Sequence, residues 1–226
     1  MKDKTTSALV TPQTLTFLRN LERNNNRTWF NEHRQEYRQF VAEPMKHLAM
    51  QLAPVIQDLD SAAITDPERT VSRIYRDTRF SGDKTPYRPR VWIAFKRDLD
   101  NWTQTPVYFF EVTSEEYVFG TGMYCANAAT MRNFRRMIDD DPQGFAGIVE
   151  PVNRSRTMTL DTEQYKRPLP CEHSAKIMPW YQSKSIAVLG TRQPDATLFS
   201  PKLVDFLTDR FLFLKPLYDF LWKAIA

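Results

Sequence analysis

The amino-acid sequence predicts an α+β fold, with a central antiparallel β-sheet flanked by N-terminal, middle and C-terminal helices. Three observations carry this expectation. Apolar residues recur at helical spacing in the first third and again at the C-terminal end. Between Val91 and Phe119 the period switches to two. The connections between those alternating runs are too short for the crossovers that parallel strands need.

The elements follow in order. Thr11-Pro12 reads as an N-cap with proline at the first helical position, ahead of Leu15, Leu18 and Leu21. Asn24-Asn25-Asn26 ends that pattern as a helix–helix turn. A second helix is expected over about 28–42, with Phe30, His33, Tyr37 and Phe40/Val41 on one face. Pro44 restarts a third, carrying Met45, Leu48, Leu52 and Ile56. Strands are expected at Val91–Phe95, Val107–Val112 and Tyr117–Phe119, where aromatic and β-branched residues concentrate. Gly120-Thr121-Gly122 is expected to interrupt the last as a bulge or bend.

Helices return at Asn127–Asp139, with Met131, Phe134 and Ile138 on one face, and after Asp141-Pro142. Short strands are expected near Thr157–Leu160 and Ser185–Leu189. Ser200-Pro201 caps a long terminal helix with Leu203, Leu207, Leu214, Leu217 and Leu221 inward, kinked at Pro216.

The chain's 226 residues are 42% hydrophobic and 13% aromatic, which suits one domain over 1–226 with a sizeable core and a loose tail over about 1–10. This composition excludes dominant disorder, and six scattered glycines exclude a collagen-like repeat. The polar start lacks the apolar core of a signal peptide, and the apolar run at Phe211–Leu214 is too short to span a bilayer. The expected setting is therefore cytoplasmic, with no membrane partner. Cys125 and Cys171 read as free thiols, Cys125 as a small core residue.

The net charge of +4 is modest, but its distribution is not even. Seven cations and two anions lie between Arg69 and Arg90, a net +5, against −1 for the remainder. Were Ser72–Phe80 a strand, Arg73, Tyr75, Asp77 and Arg79 would share a face, with Asp77 between two arginines. Ser81-Gly82-Asp83 would turn the chain and return Lys84 and Tyr87 to the cluster. Guanidinium groups so placed suit oxyanions: carboxylate, phosphate or sulfate.

The pattern Arg73-x-x-Arg76-Asp77-x-Arg79-Phe80-x-x-Asp83-Lys84-x-x-Tyr87 resembles the signature of the DUF2461 family, which is mostly bacterial. Asn25-Asn26-Arg27-x-Trp29-Phe30-x-x-x-Arg34-x-x-Tyr37 is similar to that family's N-terminal helical segment. Tyr108-Phe109-Phe110, Gly120-x-Gly122-x-Tyr124 and Arg132 to Ile138 follow its order. Lys166-Arg167-Pro168 and Lys184-Ser185 match loosely, and Leu169–Glu172 departs from the family pattern next to Cys171 and His173. The resemblance supports a single domain and implies no reaction.

Three functional readings follow. In the first, Arg73, Arg76, Arg79 and Lys84 bind an anionic metabolite, Asp77 orients the arginines and Tyr87 donates a hydrogen bond. If that pocket is catalytic, Asp77 or Asp83 is the base and Lys84 or Tyr87 the acid. In the second, the stretch 69–90 binds nucleic acid, against which its aspartates argue. In the third, the motif is a structural ion-pair network of a scaffold. No cofactor is expected, since no phosphate-binding glycine loop is present, and no metal, since His33 reads as a core residue while His47 and His173 lack partners at ligand spacing.

Overall fold

A computed structural model describes residues 9–225. Most of the expected N-terminal tail lies outside them, and Val10, at its end, is fully buried. The fold is α+β, with a five-stranded antiparallel sheet in the order β1-β2-β3-β5-β4. The strands are β1 (Val91–Phe95), β2 (Val107–Val112), β3 (Tyr117–Gly122), β4 (Thr159–Leu160) and β5 (Ala187–Arg192). Among the described residues no helix is long and apolar enough to cross a membrane.

These residues form two compact units that alternate along the sequence. One takes the described residues up to Phe95 with Phe109–Val118 and Arg192–Asp209. Its α1 (Pro12–Arg23) buries Leu15, Phe17, Leu18 and Leu21. The helix expected over 28–42 is broken into α2 (Arg27–Glu32), α3 (Arg34–Tyr37) and a π-helical turn (Arg38–Ala42). Asn26 caps α2 by accepting the Trp29 N–H at 3.0 Å.

From the π turn the chain passes directly into α4 (Glu43–Leu59), so Pro44 does not restart a helix as expected. Proline has no N–H for the carbonyl four residues back, here that of Phe40. The buried Thr14 hydroxyl donates to that carbonyl at 2.6 Å and accepts the Thr11 N–H at 3.2 Å. Met45, Leu48, Leu52 and Ile56 are fully buried, as their spacing predicts. A short α5 (Pro67–Thr70), capped by Asp66, leads into the basic segment.

The other unit takes Lys96–Tyr108, Phe119–Thr191 and the described residues from Arg210 onward. Here α6 (Ala128–Asp140) and α7 (Pro142–Arg154) are capped by Asn127 and Asp141, which accept the Thr130 and Gly144 N–H groups at 2.8 Å. Phe134, Phe145, Phe220 and Trp180 pack mostly edge-on, with Phe134 and Phe145 centroids 5.5 Å apart at 89°. Tyr108 stacks on Tyr218 at 4.2 Å.

Thr159 and Leu160 of β4 pair with Leu189 and Val188 of β5. The bend expected at Gly120 is absent, because β3 runs on through Gly122. A Cβ at Gly120 would lie 2.1 Å from the Val188 carbonyl oxygen, so glycine there permits close backbone approach rather than a bend. Arg135 of α6 is buried and donates to the carbonyls of Met131, Tyr181 and Ser183 at 3.0, 2.9 and 2.7 Å. After a short α8 (Met178–Tyr181), the terminal helix, α9 (Lys202–Ala224), buries all five expected leucines and continues through Pro216.

Candidate functional site

The basic segment is an irregular hairpin, not the strand expected over 72–80. Val71 pairs with Ile93, Tyr75 pairs with Tyr87, and the Ser72, Arg76 and Arg88 N–H groups reach the Trp92, Pro86 and Ile74 carbonyls at 2.8–2.9 Å. Pro86 and Pro89 on the returning arm have no N–H to give, which breaks the ladder, yet the expected alternation persists in the exposure pattern: Arg73, Tyr75, Asp77 and Arg79 are exposed while Arg76 and Thr78 are half-buried. Ile74 and Tyr87 are buried, while Arg73 and Tyr75 are exposed.

At the hairpin's far end each arginine has its own acid. Arg79 forks onto Asp77 at 3.0 and 2.7 Å, and the second arginine acting on that carboxylate is Arg88 rather than the expected Arg73. Arg76 pairs with Asp83, and its guanidinium also donates to the Thr85 and Ser81 hydroxyls at 2.6 and 3.4 Å. Lys84 donates to the Thr78 carbonyl at 2.9 Å. Arg79's hydrogen bonds pull the Asp77 carboxyl down to about 2. The Thr85 N–H, followed by Arg76, pulls Asp83 down to about 2. Both carboxylates are therefore ionised at neutral pH and weak as bases.

The base of the hairpin is organised around Tyr87. Asn25 clasps its backbone, accepting the Tyr87 N–H at 3.0 Å and donating to its carbonyl at 2.9 Å. Phe30 of α2 stacks on the Tyr87 ring at 4.1 Å. Tyr75 lies 5.4 Å from Tyr87 and 6.0 Å from Phe30, and Tyr37 lies 5.4 Å from Phe30. Burial raises the Tyr87 hydroxyl's pKa, as does the Tyr75 hydroxyl, whereas Arg27 and Arg34 oppose the shift. Burial pushes Tyr37 up to about 12. Arg88 donates to the Arg73 and Tyr75 carbonyls at 3.0 and 2.6 Å, and Arg88 and Arg90 lie over Trp92 at 5.3 and 5.6 Å. Arg90 also reaches Glu111 at 3.4 Å. The Arg73 side chain makes no hydrogen bond or ion pair with a described residue.

Of the sequence-predicted residues, Arg76, Asp77, Arg79, Asp83 and Lys84 thus build the hairpin end, while Arg73 and Tyr87 belong to its base. Asn25, Arg27, Arg34, Tyr37 and Tyr75 were missed as site residues. A signal existed: 27, 30, 34 and 37 fall on one helical face. Asn25 carries no such signal, because its partner is 62 residues away.

Elsewhere, His173 is not partnerless. Its Nε2 lies 2.7 Å from Asp139, which also accepts from the Tyr181 hydroxyl at 3.1 Å. An open cleft of about 480 Å³ adjoins His173, Glu150 and Lys176. Lys176 and Arg154 both pair with Glu150, at 3.1 and 2.8 Å. His33 is half-buried rather than in the core, stacked on Trp29 at 4.1 Å, and His47 is exposed. Both cysteines are free, and Cys125 is exposed rather than a core residue. Among the described residues no three His, Cys, Asp or Glu side chains are grouped to hold a metal ion.

No curated protein matches this sequence. The family model described as "Conserved hypothetical protein (DUF2461)" matches residues 13–220, which include both the hairpin motif and the helical segment that packs on it, and the chain belongs to that family.

Proposed function

We propose that the protein recognises an anion, phosphate or carboxylate, at the base of the basic hairpin. One observation carries this reading: two cation-bearing segments far apart in sequence meet at Tyr87, bringing Arg27 and Arg34 near its hydroxyl, while the Arg73 side chain on the same hairpin has no partner among the described residues. Arg76, Arg79 and Lys84 hold the hairpin end, and Asp77 and Asp83 orient the two arginines. Carboxylates so acidic favour binding over base catalysis. A thermal-shift screen against phosphorylated and carboxylated small molecules tests the reading. Anions should raise Tm for the wild type and less for Arg34→Ala and Arg73→Ala. No shift with any anion at low salt overturns it.

A second reading, nucleic-acid binding, is favoured by one feature. Phe80 is 96% exposed beside Arg79, and Tyr75 is 53% exposed, which is the combination of stacking rings and cations that single strands use. Anisotropy titration of a labelled single-stranded oligonucleotide tests it. Binding should fall steeply with salt and weaken in Phe80→Ala, and no binding at low salt removes this reading.

A further inference from the structure

The geometry points to a subsite for a tetrahedral phosphate group, formed by the Tyr37, Tyr75 and Tyr87 hydroxyls with Arg27 and Arg34. This rests on the anion reading above and narrows it from oxyanions in general to one shape. Phe30 is the common floor: Tyr87 stacks on it at 4.1 Å, Tyr37 leans on it at 5.4 Å and Tyr75 meets its edge at 6.0 Å. Tyr37 and Tyr87 both feel the Tyr75 hydroxyl electrostatically, so both phenols lie within range of that of Tyr75. None of the three hydroxyls hydrogen-bonds to a described residue, although each is a donor of useful strength.

Tyr37, pushed up to about 12, and Tyr87, also raised by burial, stay neutral at physiological pH, so both keep a proton to give. Arg34 lies over the Phe30 ring at 6.0 Å, and one of its nitrogens is already anchored on Asn31 at 2.6 Å. That anchor leaves other guanidinium donors free. Three neutral donors and two cations fit the three terminal oxygens and double charge of a phosphate monoester. A carboxylate, flat and with two oxygens, would leave one phenol unused. Tyr75, half exposed, offers a ring on which a flat organic group of the ester can rest.

Isothermal titration with inorganic phosphate, phenyl phosphate and benzoate separates these possibilities. The proteins are the wild type, the three single Tyr→Phe variants at 37, 75 and 87, and the triple variant. Phenylalanine keeps each ring, and far-UV and near-UV circular dichroism check that packing is kept. Each single change should weaken phenyl phosphate binding about tenfold, the loss typical of one hydrogen bond to a charged group, with benzoate unchanged. Inorganic phosphate should lose affinity in parallel but bind more weakly than the ester throughout. If phosphate and ester bind alike, the ring platform is wrong. If a folded triple variant binds phosphate like the wild type, or benzoate binds as well as phenyl phosphate, the subsite is overturned while the anion reading stands. If the wild type binds none of the three at low salt, both fail.

Discussion

Replacing Asn25 by alanine tests the joint between the two motif segments. Its side chain makes two hydrogen bonds to one residue, the Tyr87 N–H at 3.0 Å and the Tyr87 carbonyl at 2.9 Å. Each such bond contributes about 0.5–1.5 kcal/mol net, and a partner left unsatisfied raises the loss toward about 1–3 kcal/mol. The pair is only partly buried, so water can reach part of the gap and the lower values apply. The sum is about 1–3 kcal/mol. For a chain of this size that is a fall in Tm of roughly 2–12 °C. Asn25→Asp keeps the acceptor for the Tyr87 N–H and loses the donor, so about half the effect should return. Urea denaturation followed by tryptophan fluorescence measures both variants. A loss below about 0.5 kcal/mol for Asn25→Ala, the range of ordinary surface substitutions, refutes the reasoning.

Thr14→Val should cost about 1–3 kcal/mol in the same assay, because it strips the Phe40 carbonyl of its replacement donor, and Thr14→Ser should restore most of it. Arg135→Met keeps the aliphatic stem but abandons three carbonyls, and should cost about 3 kcal/mol or more; a neutral result would show that water serves those carbonyls equally well. The Asp77 and Asp83 carboxyls should titrate near 2 by carbon-detected NMR. Because both are lowered on folding, what they contribute to hairpin order is complete above the ordinary Asp value of about 3.9 and is lost as pH falls through about 2. Midpoints near 3.9 would mean that the ion pairs do not form in solution.

The sequence was most legible where one residue's role is local. The five leucines of α9, the four apolar residues on α4 and the helix starts at Asn127 and Asp141 are set by period and by short side chains that reach neighbouring N–H groups. It was least legible where the partner is distant. Nothing near Pro44 shows that a hydroxyl from Thr14 would serve the carbonyl that proline abandons, so a helix restart was the natural expectation. The Gly120 bend failed for the same reason: the demand for glycine comes from the Val188 carbonyl on another strand. In the site, spacing located the cations but not their partners. Alternation over 73–79 holds in the exposure pattern, but the continuous strand does not form, and Arg88 of the returning arm, not Arg73, is the second arginine acting on Asp77. The charge cluster itself divides into an end whose two arginines are ion-paired and a base with unspent donors, a distinction that lies entirely in the tertiary contacts.

The central claim is that anions bind at the hairpin base, where the two segments meet. Side-chain NMR of the Arg Nε–Hε and Tyr ring signals during a titration with phenyl phosphate tests this most directly. The account predicts saturable shifts at Arg27, Arg34, Tyr37, Tyr75 and Tyr87, with Arg76 and Arg79 nearly still. Shifts confined to Arg76 and Arg79, or to residues of the cleft beside His173, would contradict it.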